Sequence, residues 1–559
     1  MFDHFIRKEP SEFWKCWNKK FRQATSSNQS QVVNGCQGNL EIANVFAKHF
    51  SEIYDAPNCD DSQSKQEFFD TCQQYRCNNN TSDIDDITVE LVDKCLRDLK
   101  IGKACGMDGL CTESLRYAHP KLIVLLCHLF RSMSLHSFVP ANFGKGIIVP
   151  LVKDKLSDLS NCNNYRAITL IAVISKLFKK VMLVLCNKYL QTDDRQFGFK
   201  KNLGCNQALF TVRSTIDFFT DRGSTVYAAA LDISKAYDKV RHYKLFTALV
   251  RAGLPMWVTH LLVDWYSKLV VSVRWNESFS SFFSVSSGVR QGSTLSPALF
   301  NVFINKIIVI LKLESLGCHI NNTWIGCVLY ADDIILMAAS VRSLQRMLNK
   351  CNEVIGGLGL AFNCNKSCCF VVGRGHKFTL SKLELGGQLI DWCSHVKYLG
   401  ISIFCKDKLR CDNNLIARKF YAASNCIFSN TYGLDEILKL SLQQSYCLPI
   451  LQYGLAALRL TQTQVKALNV CWNDVFRKIF KFNRWESVSQ FIDGLGYLNF
   501  TYLWYLSAIK LLKGLRTSNN LLLRSVFNCF VHGTECKKLI SILTITFDDP
   551  ISVIVKKNS

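Results

Sequence analysis

The chain has no Cys-x-x-Cys pair, although it carries 26 cysteines in 559 residues. That spacing is the signature of zinc knuckles and ribbons. The nearest ligand-like group, Cys529, His532 and Cys536, wants a fourth ligand. Scattered thiols with mostly apolar neighbours read as reduced, intracellular core residues rather than a disulfide framework. Acidic residues are also in deficit: 44 Asp and Glu stand against 67 Lys and Arg, for a net charge of +23 and a pI near 9.1. Such a surplus implies a polyanionic partner, bound with a logarithmic salt slope of roughly −0.9 per neutralised phosphate on duplex DNA. Apolar runs are short: residues 122–126 and 168–174 fall far below the roughly 20 needed to cross a bilayer. No amphipathic anchor or lipidation motif stands out, so no membrane partner is expected. Phe2-Asp3-His4 and Arg7-Lys8-Glu9-Pro10 interrupt any apolar leader, so no signal peptide is expected. There is no internal repeat or low-complexity tract. With 48% hydrophobic residues, a chain of this length builds several subdomains around a substantial core.

What is present centres on Tyr330-Ala331-Asp332-Asp333, set between apolar residues 324–329 and 334–337. Two carboxylates amid so many apolar side chains are costly unless a cation joins them. A second apolar strand, residues 226–231, delivers Asp232 and continues as Ile233-Ser234-Lys235-Ala236-Tyr237-Asp238. The two sites lie 100 residues apart, so the two strands must lie side by side in one sheet. Mg²⁺, with Mn²⁺ as the alternative, is typically held by one or two carboxylates plus substrate phosphates. Two such ions about 3.5–4 Å apart clamp the attacking and leaving oxygens of a phosphoryl transfer. The chemistry indicated is nucleotidyl transfer.

The ordered set of Asp232 with Tyr237, Gly288-Val289-Arg290-Gln291-Gly292-Ser293-Thr294-Leu295-Ser296-Pro297, and Tyr330 to Asp333 resembles the reverse transcriptases of non-LTR, LINE-like retrotransposons. Upstream, Gly102-Lys103-Ala104-Cys105-Gly106-Met107-Asp108-Gly109, Ile148-Val149-Pro150-Leu151-Val152-Lys153, Asn164-Tyr165-Arg166-Ala167-Ile168 and Gln196-Phe197-Gly198-Phe199 resemble its finger motifs. Downstream, Gly359-Leu360-Ala361-Phe362-Asn363 with Lys366, and Val396-Lys397-Tyr398-Leu399-Gly400, resemble its later palm motifs. The resemblance is close over residues 86–405. It implies an α+β right-hand polymerase with fingers, a palm built on an antiparallel sheet, and a helical thumb. On that pattern residues 1–85 are an N-terminal extension and linker, 86–209 fingers, 210–375 palm, 376–480 the end of the palm and the thumb, and 481–559 a helical tail.

The resemblance also implies roles. Asp232 and Asp332 are the expected metal ligands, with Asp333 as a supporting acid because successive strand residues face opposite ways. Tyr237 is expected beneath the sugar, where it would collide with a 2′-hydroxyl, with Ile233 beside the nucleotide. Gln291 is expected near nucleotide and template, with Gly288 and Gly292 allowing close backbone approach. Lys153 and Arg166 are expected on the triphosphate. Lys366 is expected to protonate the leaving pyrophosphate. Where the family usually has Arg-Pro-Ile, this chain has Arg166-Ala167-Ile168, so a looser finger strand is expected. Taken singly, these residues read as a surface turn, a core aromatic or solvated charges, and only their order along the chain lifts them above that.

At the thumb, Trp472, Phe476 and Phe480 recur every four residues while Arg477, Lys481 and Arg484 line another side. The aromatic face is expected in the core, and the basic face divides between template-primer phosphates and solvent. An aromatic, basic helix is expected across residues 13–21, before a polar linker at 77–86. The expected partners are an RNA template, a DNA primer and dNTPs, with work in the cytoplasm and nucleus. No endonuclease or zinc-knuckle tail is legible, so the chain is expected to be the polymerase portion of a longer element or a gene-model fragment beginning at an internal Met1. The alternatives are an inactive, nucleic-acid-binding relic and a maturase-like splicing factor. The last would carry an RNA-binding domain after the thumb, and residues 481–559 show none.

Overall fold

A computed structural model describes residues 32–55, 61–75, 82–153, 158–377 and 380–531. The expected helix at 13–21, residues 77–81 of the expected linker, and His532 and Cys536 lie outside the described residues. The class is α+β, as expected: short, mostly antiparallel sheets with helices packed on them. The chain divides into two compact units, residues 1–191 with 235–303 and residues 192–234 with 304–559.

In the first unit, Lys145–Val152 pairs antiparallel with Tyr165–Ile171 and parallel with Val270–Trp275. Pro150 is tolerated because pairing with the third strand covers only residues 145–148, so no ladder bond is missing on that side. Ala167 sits opposite Pro150 in an unbroken ladder, so loss of the proline does not interrupt the finger strand. The helix Asn39–Tyr54 lies on this sheet. Its fully buried Phe46 meets Tyr165 edge-on at 4.9 Å and Trp275 at 5.1 Å between ring centroids.

In the second unit, four antiparallel strands run in the order Cys368–Val372, Val226–Asp232, Asp333–Ala338, Cys327–Tyr330. Their sequences are near-continuous apolar runs, as sheets covered on both faces require. The helices Cys205–Thr220 and Val341–Gly357 supply cover. The core extends through the hairpins and helices that follow to Leu521–Val531.

The expected boundaries follow chain order, and the packing does not. Residues 235–303, expected within the palm, belong with the finger strands because Val270–Trp275 joins their sheet. Residues 192–209, expected in the fingers, belong with the four-stranded sheet, where Gln196 bridges Leu329. Among the described residues after 480, Phe500–Arg516 packs into the same core as the thumb helix.

The thumb helix Gln462–Phe480 opens on a capping box in which Thr461 and Gln464 exchange side-chain and backbone hydrogen bonds. Trp472 and Phe476 are wholly buried and Phe480 partly so, as the four-residue spacing predicts. The basic face is different. The helix stops at Phe480, and Lys481 caps it in a left-handed conformation, so Lys481 and Arg484 are off the helix. Arg477 is turned inward, donating to Asp474 at 2.9 Å and to the Glu486 carbonyl at 3.1 Å. With its guanidinium so engaged, Arg477 braces the helix end rather than presenting a free cation to a phosphate.

One helix among the described residues, Ser296–Leu313, is long and apolar enough to cross a membrane by length and composition. Its Leu299, Phe300, Phe303, Ile304, Ile307 and Ile308 are buried within the protein, the pattern of a core helix.

Trp472 also donates from its indole nitrogen to the Leu498 carbonyl at 3.3 Å. Trp472→Ala removes both this bond and the packing, and should destabilise the protein by about 3–5 kcal/mol in urea unfolding.

Candidate active site

Asp232 is the last residue of its strand and Asp333 the first of its neighbour, and the two are direct cross-strand partners. Between Tyr330 and Asp333, which also pair, lies a two-residue turn of Ala331 and Asp332, with Ala331 at φ 55°. Asp332 is therefore in the turn and not in a strand, and alternation along a strand does not separate it from Asp333. It is Asp333 that faces Asp232 in register.

The electrostatics follow from this crowding. Asp333 is pushed up to about 6, first by burial, then by the charges of Asp332 and Asp232. Asp232 is raised by burial, with the Lys366 ammonium pulling the other way. Lys366 reaches this neighbourhood because its loop is stitched to the strand end: Asn363 N–H donates to the Asp232 carbonyl at 2.8 Å and Asp232 N–H to Ser367 Oγ at 3.1 Å. Ile233 is 2% exposed, its backbone bridging Phe362, so its side chain belongs to the core and not to a nucleotide contact. Among the described residues no three His, Cys, Asp or Glu side chains gather into a ready ligand cage. The protein thus offers a hard-oxygen donor set that phosphate oxygens would have to complete, which is how Mg²⁺ is ordinarily held.

The first unit carries the remaining candidates. Arg166 is exposed on its strand beside Leu151, and Lys153 follows the end of the partner strand, its ammonium donating to the Asn163 carbonyl at 2.6 Å. The Tyr237 ring stacks on Phe300, with centroids 4.4 Å apart and planes at 22°. Gln291 donates through Nε2 to Asp238 Oδ1 at 2.9 Å, and its carbonyl accepts from Thr169 N–H at 3.2 Å. Gly288, at φ 90°, runs so close to the chain that a Cβ would fall 2.6 Å from the Asp238 carbonyl oxygen. At Gly292, φ is 103° and a Cβ would lie 3.3 Å from the Thr169 oxygen. At both positions the positive φ and the nearby backbone of the chain itself favour glycine.

Asp238 escaped the sequence reading. Burial raises its carboxyl to about 6, opposed by the Gln291 hydrogen bond and by Lys235 and Lys153. His49, held low by burial and then by Lys235, borders the same pair of cations. Adjacency to Tyr237 was the only signal of Asp238 in the sequence, since its partner lies 53 residues away. Lys481 and Arg484 are exposed, and Arg477 is engaged as described.

Residues 152–403 match the family described as Reverse transcriptase (RNA-dependent DNA polymerase). The chain is 26% identical over 263 residues to the Pol polyprotein of the type-2 retrotransposable element R2DM, 25% over 417 to the probable RNA-directed DNA polymerase of transposon BS, and 23% over 471 to the RNA-directed DNA polymerase of mobile element jockey, all of Drosophila melanogaster. Residues 152–403 thus form a reverse transcriptase domain by similarity, and the relatives it resembles are non-LTR retrotransposon reverse transcriptases. Those alignments cover 44%, 70% and 79% of this chain but 24%, 44% and 49% of the relatives, so the chain spans half of their length or less. A telomerase structure from Candida albicans aligns over 75% of this chain and 68% of its own, with TM-score 0.37 and 11% identity. The residues matched by the family include Lys153, Arg166, Asp232, Tyr237, Gln291, Asp332, Asp333 and Lys366, whereas Arg477, Lys481 and Arg484 lie beyond them.

Because the folded state holds the Asp238 proton more tightly than the unfolded chain does, its contribution to stability is present below about 4 and lost as pH rises through about 6. Asp238→Asn keeps an acceptor for Gln291 and removes the titration. In urea unfolding from pH 4 to pH 8, the variant should gain on the wild type as pH rises and be the more stable at pH 8.

Proposed function

We propose that the chain is an RNA-directed DNA polymerase that extends a DNA primer 3′ end with dNTPs on an RNA template. The observation that carries this reading is the register setting Asp232 against Asp333 beside the Asp332 turn, with both strand-end carboxyls pushed up. Such a group of hard oxygens gains by accepting a divalent cation, Mg²⁺ or Mn²⁺. Asp232 and Asp332 would hold it, with Asp333 in support. When bound, the ion supplies positive charge at the phosphates undergoing exchange.

The chain's own residues do the rest. Lys153 and the planar Arg166 guanidinium neutralise and orient the triphosphate. Tyr237, held flat against Phe300, is a rigid floor that excludes a 2′-hydroxyl. Gln291, fixed by Asp238, presents its amide to the nucleotide and template. Lys366 Nζ holds the proton for the departing pyrophosphate oxygen. Lys481 and Arg484 meet template-primer phosphates. The reading carries an expectation of work in the cytoplasm and nucleus, where such an RNA and a nicked DNA would meet. No observation favours an inactive relic.

Primer extension on poly(rA)/oligo(dT) with Mg²⁺ tests the reading. The wild type should extend and Asp332→Ala should not, while template binding by the two should weaken alike with salt. Salt-sensitive binding without extension by the wild type would overturn it. In the same assay Tyr237→Val should raise the ratio of ribonucleotide to deoxyribonucleotide incorporation, and an unchanged ratio would remove Tyr237 from sugar selection.

A further inference from the structure

Ala331 occupies the left-handed region, which disfavours any residue with a Cβ. In a two-residue hairpin turn with positive φ at the first position, glycine is the usual occupant. Some contact must therefore hold this turn, and with it Asp332, in place.

The contact comes from Gln196. Its side chain is completely buried, and its amide oxygen accepts the Ala331 N–H and the Gly198 N–H, each at 2.9 Å. Two backbone donors on one oxygen fix which end of the amide is which. The backbone around it is anchored independently. Phe197 N–H donates to the Leu329 carbonyl and Leu329 N–H to the Arg195 carbonyl, both at 2.8 Å, so residues 195–197 run as a short extra strand beside Cys327–Tyr330. The approach leaves no room for a larger residue at 198, because a Cβ on Gly198 would fall 2.5 Å from the Ala331 nitrogen. Gln196 Nε2 is buried and finds no partner among the described residues. A buried donor without an acceptor is expensive, so its retention beside the acidic turn needs a reason beyond packing.

We propose that Gln196 is a positioning residue for the catalytic acids. Its amide oxygen sets the conformation of the Ala331-Asp332 turn and so fixes where the Asp332 carboxylate stands, without itself touching substrate. The proposal rests on the polymerase reading above.

Gln196→Met is nearly isosteric and lacks the acceptor, whereas Gln196→Glu keeps it. In primer extension, Gln196→Met should lower kcat roughly ten- to a hundredfold with the KM for dNTP little changed, and Gln196→Glu should recover part of the loss. Amide hydrogen exchange reads the same brace without activity. In Gln196→Met the Ala331 and Gly198 amides should exchange faster, while Phe197 and Leu329, bonded backbone to backbone, stay protected. Wild-type kcat with unchanged Ala331 protection would overturn the proposal. So would general loss of protection including Phe197 and Leu329, which marks plain structural loosening. Should Gln196→Met fail to fold, Gly198→Ala presses on the same turn and should give the same fall in kcat at constant KM; wild-type kinetics there would count against the brace. A wild type that extends no primer would defeat the polymerase reading, while the exchange rates would still decide whether Gln196 holds the turn.

Discussion

The pairing of Val226–Asp232 with Asp333–Ala338 is the constraint on which the rest of the site depends. It brings two carboxylates of like charge to the same end of a covered sheet, with a third in the adjoining turn. Left to themselves such groups repel and resist burial, and the raised Asp333 shows the strain in its affinity for a proton. The register survives because the residues behind it are inflexible in what they can accept. Ala228, Ala229, Leu231, Ile334, Ile335 and Leu336 are all buried, and a slip by one residue would invert the face to which every side chain points. Apolar packing thus fixes a polar arrangement that, without a cation, opposes its own formation.

The same logic recurs in the first unit on a smaller scale. Gln291 is useful to a nucleotide only if its amide stops rotating, and Asp238 stops it. Asp238 can come so near because Gly288 presents bare backbone to it, and Gly292 lets the Gln291 carbonyl reach the finger strand at Thr169. Arg290, between them, is wholly enclosed and donates to the Gly144 and Val270 carbonyls, tying the turn to the strand ends of the sheet. In residues 288 to 292 the anchoring side chains of Arg290 and Gln291 are therefore flanked by glycines that permit close contact.

Much of this was legible from residue order. The apolar strands ending in Asp232 and starting at Asp333 were plain because a covered sheet demands unbroken hydrophobic runs, and no other pairing serves both acids. Trp472 and Phe476 were equally plain, since four-residue spacing admits one buried face. The hidden features depend on where a local element ends or on who meets whom across the chain. The acidic pair falls at the expected turn between two strands, but which acid is in the turn was hidden, because alanine at its first position lacks the glycine that marks a turn's bounds. Lys481 fell outside its helix because the periodic pattern runs on past the cap. The role of Asp238 and the hold of Gln196 on the Ala331 turn were silent because each depends on a partner more than 50 residues away. The mixed assignment of residues 235–303 has the same source: a parallel pairing with Lys145–Ile148 leaves no mark in either sequence.

Arg477 exposes a wider point about the charge of +23. Several of the chain's cations are not on its surface at all. Arg195 donates to the Trp324 carbonyl and pairs with Asp193, Arg213 pairs with Asp217, Arg290 holds carbonyls, and the Lys179 ammonium lies 4.8 Å over the Trp265 ring. Burial even lowers the proton affinity of Lys179 and Arg290, the reverse of what attraction to a polyanion requires. A guanidinium can serve inside because its donors are fixed in a planar fork that matches carbonyls and carboxylates. These groups release no counterions when a nucleic acid binds. The salt slope of binding therefore counts only exposed cations that reach phosphate, and net charge sets an upper bound on it rather than its value.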